Sequence, residues 1–191
     1  LPGTGAKGGP LDVTVKAALE NTSDKKQTGV LEGSFGDVQF SQKVTLPAKA
    51  TQTITFDPKT TAALHGQNPK LWWPNGYGPQ NLYKLHLSFA VKKKVSDERD
   101  VTFGVREITY AVPDSENLTI SVNGVRVFIR GGDWGLDEAM KRIPRARLEA
   151  EIRMHQMAHM NMIRNWVGQS TGEDFYELCD KYGIMVWDEF F

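Results

Sequence analysis

The chain has 191 residues, and its 23 lysines and arginines balance 23 aspartates and glutamates, so the formal net charge is zero. That balance argues against nucleic-acid binding, which usually shows a basic excess, and no apolar run approaches the roughly 18 residues that would read as a membrane span. The length suits one domain or a domain and a half, and the single cysteine, Cys179, excludes an internal disulfide.

Residues 1–10 are rich in glycine and proline and are expected to be flexible. Leu1-Pro2-Gly3-Thr4-Gly5 has the form of a cell-wall sorting signal, but such signals stand near a C-terminus ahead of an apolar tail, so the match is read as coincidence. From Leu11 the pattern turns to period two. Val13, Val15, Ala17 and Leu19 alternate with Asp12, Thr14, Lys16 and Glu20, as in a half-buried strand. After a polar turn over Asn21–Lys26, strands are predicted over Gly29–Phe35, Val38–Leu46 and Thr51–Phe56. Tyr83, Leu85, Leu87, Phe89 and Val91 give the clearest alternation of all. Lys92-Lys93-Lys94 begins a solvated hairpin turn, and Val101–Val105 and Glu107–Tyr110 return to strand. A series of short strands with no helical period predicts an immunoglobulin-like β-sandwich. The loop Leu71–Gly78 carries two adjacent tryptophans, Trp72 and Trp73. It is either a platform for a sugar ring or an aromatic plug between two domains, and the large buried area of aromatics favours the plug.

Beyond Pro113–Asn117, expected to link two domains, the pattern changes. Asn123-Gly124 between apolar runs is a hairpin signal, joining Leu118–Val122 to Val125–Arg130. Val125–Arg130 is predicted as the first strand of a parallel series and runs into Gly131-Gly132-Asp133-Trp134. A helix is predicted over Pro144–Met160, a second strand over Asn161–Trp166 and a third over Gly183–Glu189. The helix between strands two and three has a capping signature, Ser170 with Glu173, and an apolar stripe of Phe175, Leu178, Cys179 and Tyr182. Cys179 on that stripe is expected to be a buried structural thiol. Strands alternating with amphipathic helices imply right-handed βαβ units, read here as the opening of a parallel β/α barrel.

In such barrels chemistry sits at the C-terminal ends of the strands. The candidates are Asp133 and Trp134 after strand one, Arg164 and Trp166 at the end of strand two, and Asp188 and Glu189 at the end of strand three. Asp188 and Glu189 are neighbours on a strand, so they point to opposite faces and cannot converge on one substrate atom. His155 and His159 have metal-ligand spacing on a helix, but Gln156 stands where a metalloprotease carries its base and no third ligand is evident. Two surface histidines are the favoured reading, and no metal or cofactor is expected.

Asn161-Met162-Ile163-Arg164, followed by Phe175-Tyr176-Glu177-Leu178-Cys179-Asp180-Lys181-Tyr182-Gly183-Ile184-Met185-Val186-Trp187-Asp188-Glu189, resembles glycoside hydrolase family 2. Val122-Asn123-Gly124 leading into Phe128-Ile129-Arg130-Gly131 resembles that family's barrel entry, and Gly104-Val105-Arg106-Glu107-Ile108 the end of its immunoglobulin-like domain. The resemblance implies an immunoglobulin-like sandwich over 1–112 and the first three βα units of a truncated TIM-type barrel over 113–191. It implies a retaining, exo-acting β-glycosidase as parent, with a carbohydrate substrate and the rest of the parent polypeptide as partners. The family's two catalytic glutamates end strands four and seven, beyond Phe191, so no catalytic residue is expected in this chain and the isolated piece should be inactive.

By the same resemblance Arg164 matches an arginine that hydrogen-bonds a catalytic carboxylate; the alternative is a structural ion pair. Asp133 and Trp134 match positions lining the first sugar subsite of mannosidase-like members. Asp188 or Glu189 either touches substrate or braces the barrel. Gly131–Trp134 and Ile163–Trp166 are closer to the β-mannosidase and exo-β-glucosaminidase branch, Gln169 and Ser170 depart from it, and Asp188-Glu189 resembles the β-galactosidase branch. The rival readings are a non-catalytic sugar-binding or interaction module and a metalloenzyme built on His155 and His159.

Overall fold

The structure, a computed structural model, describes residues 10–111, 117–135, 142–166 and 172–189. The Leu1–Gly5 motif, Gln169, Ser170 and most of the expected Pro113–Asn117 linker lie outside the described residues. The chain forms two compact units, one of Gly9–Pro69 with Tyr83–Phe103, the other chiefly of Lys70–Leu82 with Gly104–Phe191.

The first unit is a β-sandwich. One sheet pairs β1 (Val15–Glu20) with β4 (Thr51–Phe56), antiparallel from Val15↔Phe56 to Glu20↔Thr51. The other has the order β3-β2-β5-β6, with β2 at Gln27–Phe35, β3 at Val38–Leu46, β5 at Leu82–Val91 and β6 at Lys94–Gly104. The period-two pattern is realised directly: Leu31 and Phe35 of β2, Val44 and Leu46 of β3, and Ile54 and Phe56 of β4 are buried together with Phe89. Lys92 and Lys93 both take positive φ, 51° and 65°, which fits a two-residue hairpin turn between strands of right-handed twist.

The second unit holds two sheets and the two α-helices among the described residues. β7 (Ile108–Ala111), β8 (Thr119–Val122) and β9 (Val125–Val127) are antiparallel, with the β8–β9 turn at Asn123 (φ 51°) and Gly124 (φ 76°). Here the sequence expectation is corrected. Val125–Arg130 is not the first parallel strand, because the Asn123-Gly124 turn folds it back onto β8. The parallel series starts one step later, at β10 (Gly131–Trp134), which pairs with β11 (Met162–Asn165), itself paired with β12 (Met185–Asp188). Gly131 permits that approach: a Cβ there would lie 2.0 Å from the Met162 carbonyl oxygen.

α1 spans Arg145–Met157 and stops short of the expected Met160, because His159 takes a left-handed φ of 59° just past its end. α2 spans Glu173–Tyr182, with Gly172 at its N-cap and no side-chain capping bond. Glu173 is therefore the first helical residue rather than the third of a capping box; with Asp174 it places negative charge at the positive end of the helix dipole. Gly183 ends α2 in the left-handed region at φ 75°. The parallel sheet is covered differently on its two faces. On one, the helices bring Leu148, Ile152, Phe175 and Leu178 onto Trp134 and Ile163. On the other, Met162 and Met185 pack with Trp72, Val122 and Val127. Cys179 is buried with the helix-side group, and that burial pushes its thiol far above the ordinary range, where it stays protonated and inert.

Candidate functional site

Strand alternation sorts the six candidate residues. Since Ile163 faces the helices and Met162 the opposite side, Asn165 points to the helices and Arg164 away from them. The register sets Asp133, Arg164 and Trp187 in one row and Trp134, Asn165 and Asp188 in the next.

The first row carries charge. Arg164 Nε donates to a Glu189 carboxylate oxygen at 2.7 Å, its Nη2 reaches the same oxygen, and its Nη1 donates to Asp133 Oδ1 at 3.2 Å. One guanidinium thus links the ends of all three parallel strands. The bonds to Glu189, and secondarily to Asp133, raise the Arg164 pKa further above its already high value, so the charge is permanent. The group remains open, with the Arg164 side chain 43% exposed and Asp133 58%. Trp187 stands in the same row with about half its surface exposed, and Trp166, just past β11, is similarly open.

The second row is structural. Trp134 is 7% exposed and packs against the rings of Phe175 and His155, at centroid distances of 5.4 and 5.7 Å. Among the described residues no acceptor reaches its indole N–H. Asp188 Oδ1 accepts from Asn165 Nδ2 at 2.7 Å and from the Tyr176 hydroxyl at 3.1 Å, which ties β11, β12 and α2 together. The structure therefore joins Asp133, Arg164 and Glu189, leaves Trp166 exposed just past the end of β11, and places Trp134 and Asp188 on the other face. Asn165, Tyr176 and Trp187 went unremarked as site residues in the sequence, although Met185 and Trp187 share one face by simple alternation.

His155 and His159 do not share a helix face, because α1 ends at Met157. His155 Nδ1 lies 2.8 Å from the Glu151 carbonyl, and among the described residues no group of three His, Cys, Asp or Glu side chains is placed to hold a metal ion.

Comparison with known proteins bears on what this geometry belongs to. The chain is 38% identical over 175 residues to an exo-β-D-glucosaminidase of Streptomyces avermitilis, covering 92% of this chain and 19% of that protein. It is 37% identical over 168 residues to a mannosylglycoprotein endo-β-mannosidase of Lilium longiflorum, covering 85% and 17%. The crystal structure of Amycolatopsis orientalis exo-chitosanase CsxA aligns with a TM-score of 0.77 at 28% identity, over 91% of this chain and 20% of that one. The chain thus spans about a fifth of the length of such relatives. The sequence profile of Glycosyl hydrolases family 2 matches residues 5–106, more than half of the chain, and the chain belongs to that family.

Proposed function

We propose that this chain is the immunoglobulin-like domain and the first three βα units of a (β/α)8 barrel from a retaining, exo-acting β-glycoside hydrolase, one that removes terminal β-linked sugars of the glucosamine, mannose or galactose type. The proposed division along the sequence is 1–112 and 113–191, with Lys70–Leu82 and Gly104–Ala111 packing as part of the second compact unit. The observation that carries the reading is the Arg164 fork between Asp133 and Glu189, at the C-terminal ends of three parallel strands and on the face away from the helices. In a closed barrel that face is the interior and those ends are the mouth, where chemistry is done.

In this reading Arg164 holds a catalytic carboxylate of the parent in its ionised, correctly aimed form, and Asp133 and Glu189 hold Arg164. Trp166 and Trp187 offer exposed aromatic faces to a sugar ring. Asp188, braced by Asn165 and Tyr176, supports the site from behind rather than touching substrate. Retention needs two carboxyl groups about 5–5.5 Å apart, one nucleophile and one acid/base. The family resemblance puts both on later strands. The partners are then the carbohydrate and the rest of the parent polypeptide, with no cofactor.

Kinetics on the parent-length protein test this. Aryl β-glycosides should be hydrolysed with the anomeric configuration retained, as followed by proton NMR, while the purified 1–191 chain should turn over none. Inversion by the parent, or turnover by the chain that survives rigorous purification, refutes the reading.

A further inference from the structure

The chain is neutral as a whole, but one end of the sandwich is not. β1 ends opposite the start of β4 (Glu20↔Thr51), β2 starts opposite the end of β3 (Gln27↔Leu46), and β2 pairs with β5 as far as Gly29↔Val91. The β1–β2, β3–β4 and β5–β6 connections therefore leave at the same end. With the strand residues beside them they carry Lys25, Lys26, Lys49, Lys92, Lys93 and Lys94, all exposed, against Glu20 and Asp24. Lys49 is neutralised within its loop: its Nζ lies 3.2 Å from Asp24 Oδ1 and donates to the Thr22 carbonyl at 2.7 Å. Among the described residues the other five make no ion pair.

The charge is held in place. Asn21, 5% exposed, donates to the carbonyls of Lys25 at 2.9 Å and Pro47 at 2.7 Å and accepts from the Ser23 hydroxyl at 2.7 Å, which locks the connections bearing Lys25 and Lys49 to each other. The lysines also occupy backbone positions that suit other residues. Lys49, Lys92 and Lys93 have φ of 53°, 51° and 65°, and they are three of the five non-glycine residues with positive φ among the described ones. That region crowds a Cβ, and a two-residue hairpin turn with both φ positive favours Asn-Gly, which the chain itself uses at Asn123-Gly124. Local stability would be served by Asn and Gly, and charge stands there instead. Positions that break a local rule without a local gain point to function.

We propose that this end of the sandwich is a docking surface for an acidic polysaccharide, a glycan bearing carboxylates along its length. Complementary charge carries the assignment. Five unpaired ammonium groups held together repel one another, and a polyanion relieves that repulsion while releasing its own counterions. At about 4.8 Å between strands, the strip across β3, β2, β5 and β6 is about 15 Å wide, which suits a polymer rather than one small anion. The side chains narrow the choice of polymer. The three connections hold no arginine for bidentate phosphate recognition and no aromatic ring on which a base could stack, which disfavours nucleic acid. They hold no large apolar side chain to enter a bilayer. The choice of a glycan over other polyanions rests on the reading of this chain as part of a glycoside hydrolase; the basic surface itself does not.

Affinity electrophoresis of the parent-length protein in polygalacturonate tests this, with the fully methyl-esterified polymer as the uncharged control. The acid polymer should retard the protein at about 50 mM salt and the ester should not, and the affinity should fall at least about tenfold by about 200 mM. Lys92→Asn with Lys93→Gly should weaken binding about tenfold while Tm stays level or rises, because the turn then has its preferred residues. Lys25→Ala with Lys26→Ala, on a different connection, should act in the same direction. Lys16→Ala with Lys59→Ala removes as much charge from exposed positions near the opposite end and should change nothing. Four results overturn the proposal: no retardation of the wild type; equal retardation by the ester; equal weakening by the Lys16 and Lys59 pair, which would make net charge the cause; or tighter binding to duplex DNA or to phosphatidylserine vesicles at the same salt, which would name a different partner. Turnover of a small aryl β-glycoside is read separately and should be the same in wild type and variants, so failure of the enzymatic reading and failure of the docking surface are distinguishable.

Discussion

Trp72 donates its indole N–H to the main-chain carbonyl of Asp180 at 2.7 Å, from a position 1% exposed. This pins the loop to the C-terminal turn of α2. Asn75 adds to it through its backbone N–H to Gly183 and its side chain to the carbonyls of Gln156 and Met160. The Arg106 guanidinium lies 4.4 Å over the Trp72 ring. Burial lowers the Arg106 pKa and raises that of Asp180, each partly offset by the attraction of the other. The ring faces are occupied, so Trp72 is no platform for a sugar.

Trp72→Ala should therefore destabilise the unit by about 3–5 kcal/mol, the range for deleting a fully buried aromatic. Trp72→Phe keeps much of the volume and loses the bond to Asp180, at a cost of about 1–3 kcal/mol including the carbonyl left without its donor. Urea unfolding followed by fluorescence of the remaining tryptophans checks both. Equal effects of the two substitutions would show that the hydrogen bond, not the packing, dominates.

The α1–α2 contact should weaken in acid. Lys181 and the Tyr182 hydroxyl both donate to Glu149 Oε1, the latter at 2.7 Å, and these bonds, that of Lys181 foremost, hold Glu149 below the ordinary carboxylate range. A folded-state pKa below the unfolded one contributes stability that is present above the unfolded value and lost as pH falls through the folded one. Between pH 7 and pH 2 the melting temperature of Glu149→Gln should fall less steeply than that of the wild type below about pH 4, near where free Glu titrates. Parallel curves would mean that the pair is as well satisfied in the unfolded chain.

Zinc should leave the melting curve unmoved. His155 makes a 2.8 Å contact to the Glu151 carbonyl, and His159 sits in a left-handed turn past the end of α1. Two imidazoles without a third ligand and a supporting shell make a poor site. Stoichiometric, tight binding by calorimetry, lost in His155→Ala, would contradict this.

Much of this architecture was legible because it is local. The alternation at Val15–Leu19 and Tyr83–Val91, the Asn123-Gly124 turn and the Phe175–Tyr182 stripe each state their period within a few residues. What failed needed a partner. The apolar run at Val125–Arg130 reads the same for an antiparallel or a parallel strand, and only its pairing with β8 decides. The end of α1 depends on one backbone reversal at His159 in a segment whose composition is still helical. At the site, the strand ends were visible but their sorting was not. Which carboxylate meets Arg164 follows from the register of β10, β11 and β12, and Tyr176 reaches Asp188 across a helix–strand contact with no signal in either segment.

Arg164→Ala in the parent-length enzyme should lower kcat far more than it lowers stability. The guanidinium projects from the C-terminal end of β11, on the face away from the helices, fixed by Glu189 on one side and Asp133 on the other. A planar fork held at two points is preorganised, and it cannot lose its proton at any pH of interest. In the proposed reading a nucleophilic carboxylate of the parent placed beside it is kept ionised, because an adjacent cation lowers a carboxylate pKa. Losing one such preorganised contact costs about 10²–10³ in rate. As an exposed ion pair the same residue adds little to stability. The acid limb of kcat/KM should also move to higher pH in the variant, since the carboxylate would then protonate more readily. Arg164→Lys keeps a charge but cannot span Asp133 and Glu189 together, so its kcat should fall between the two. Near-normal kcat, an unmoved acid limb and a lowered Tm in Arg164→Ala would make Arg164 a structural ion pair and end its assignment to the site.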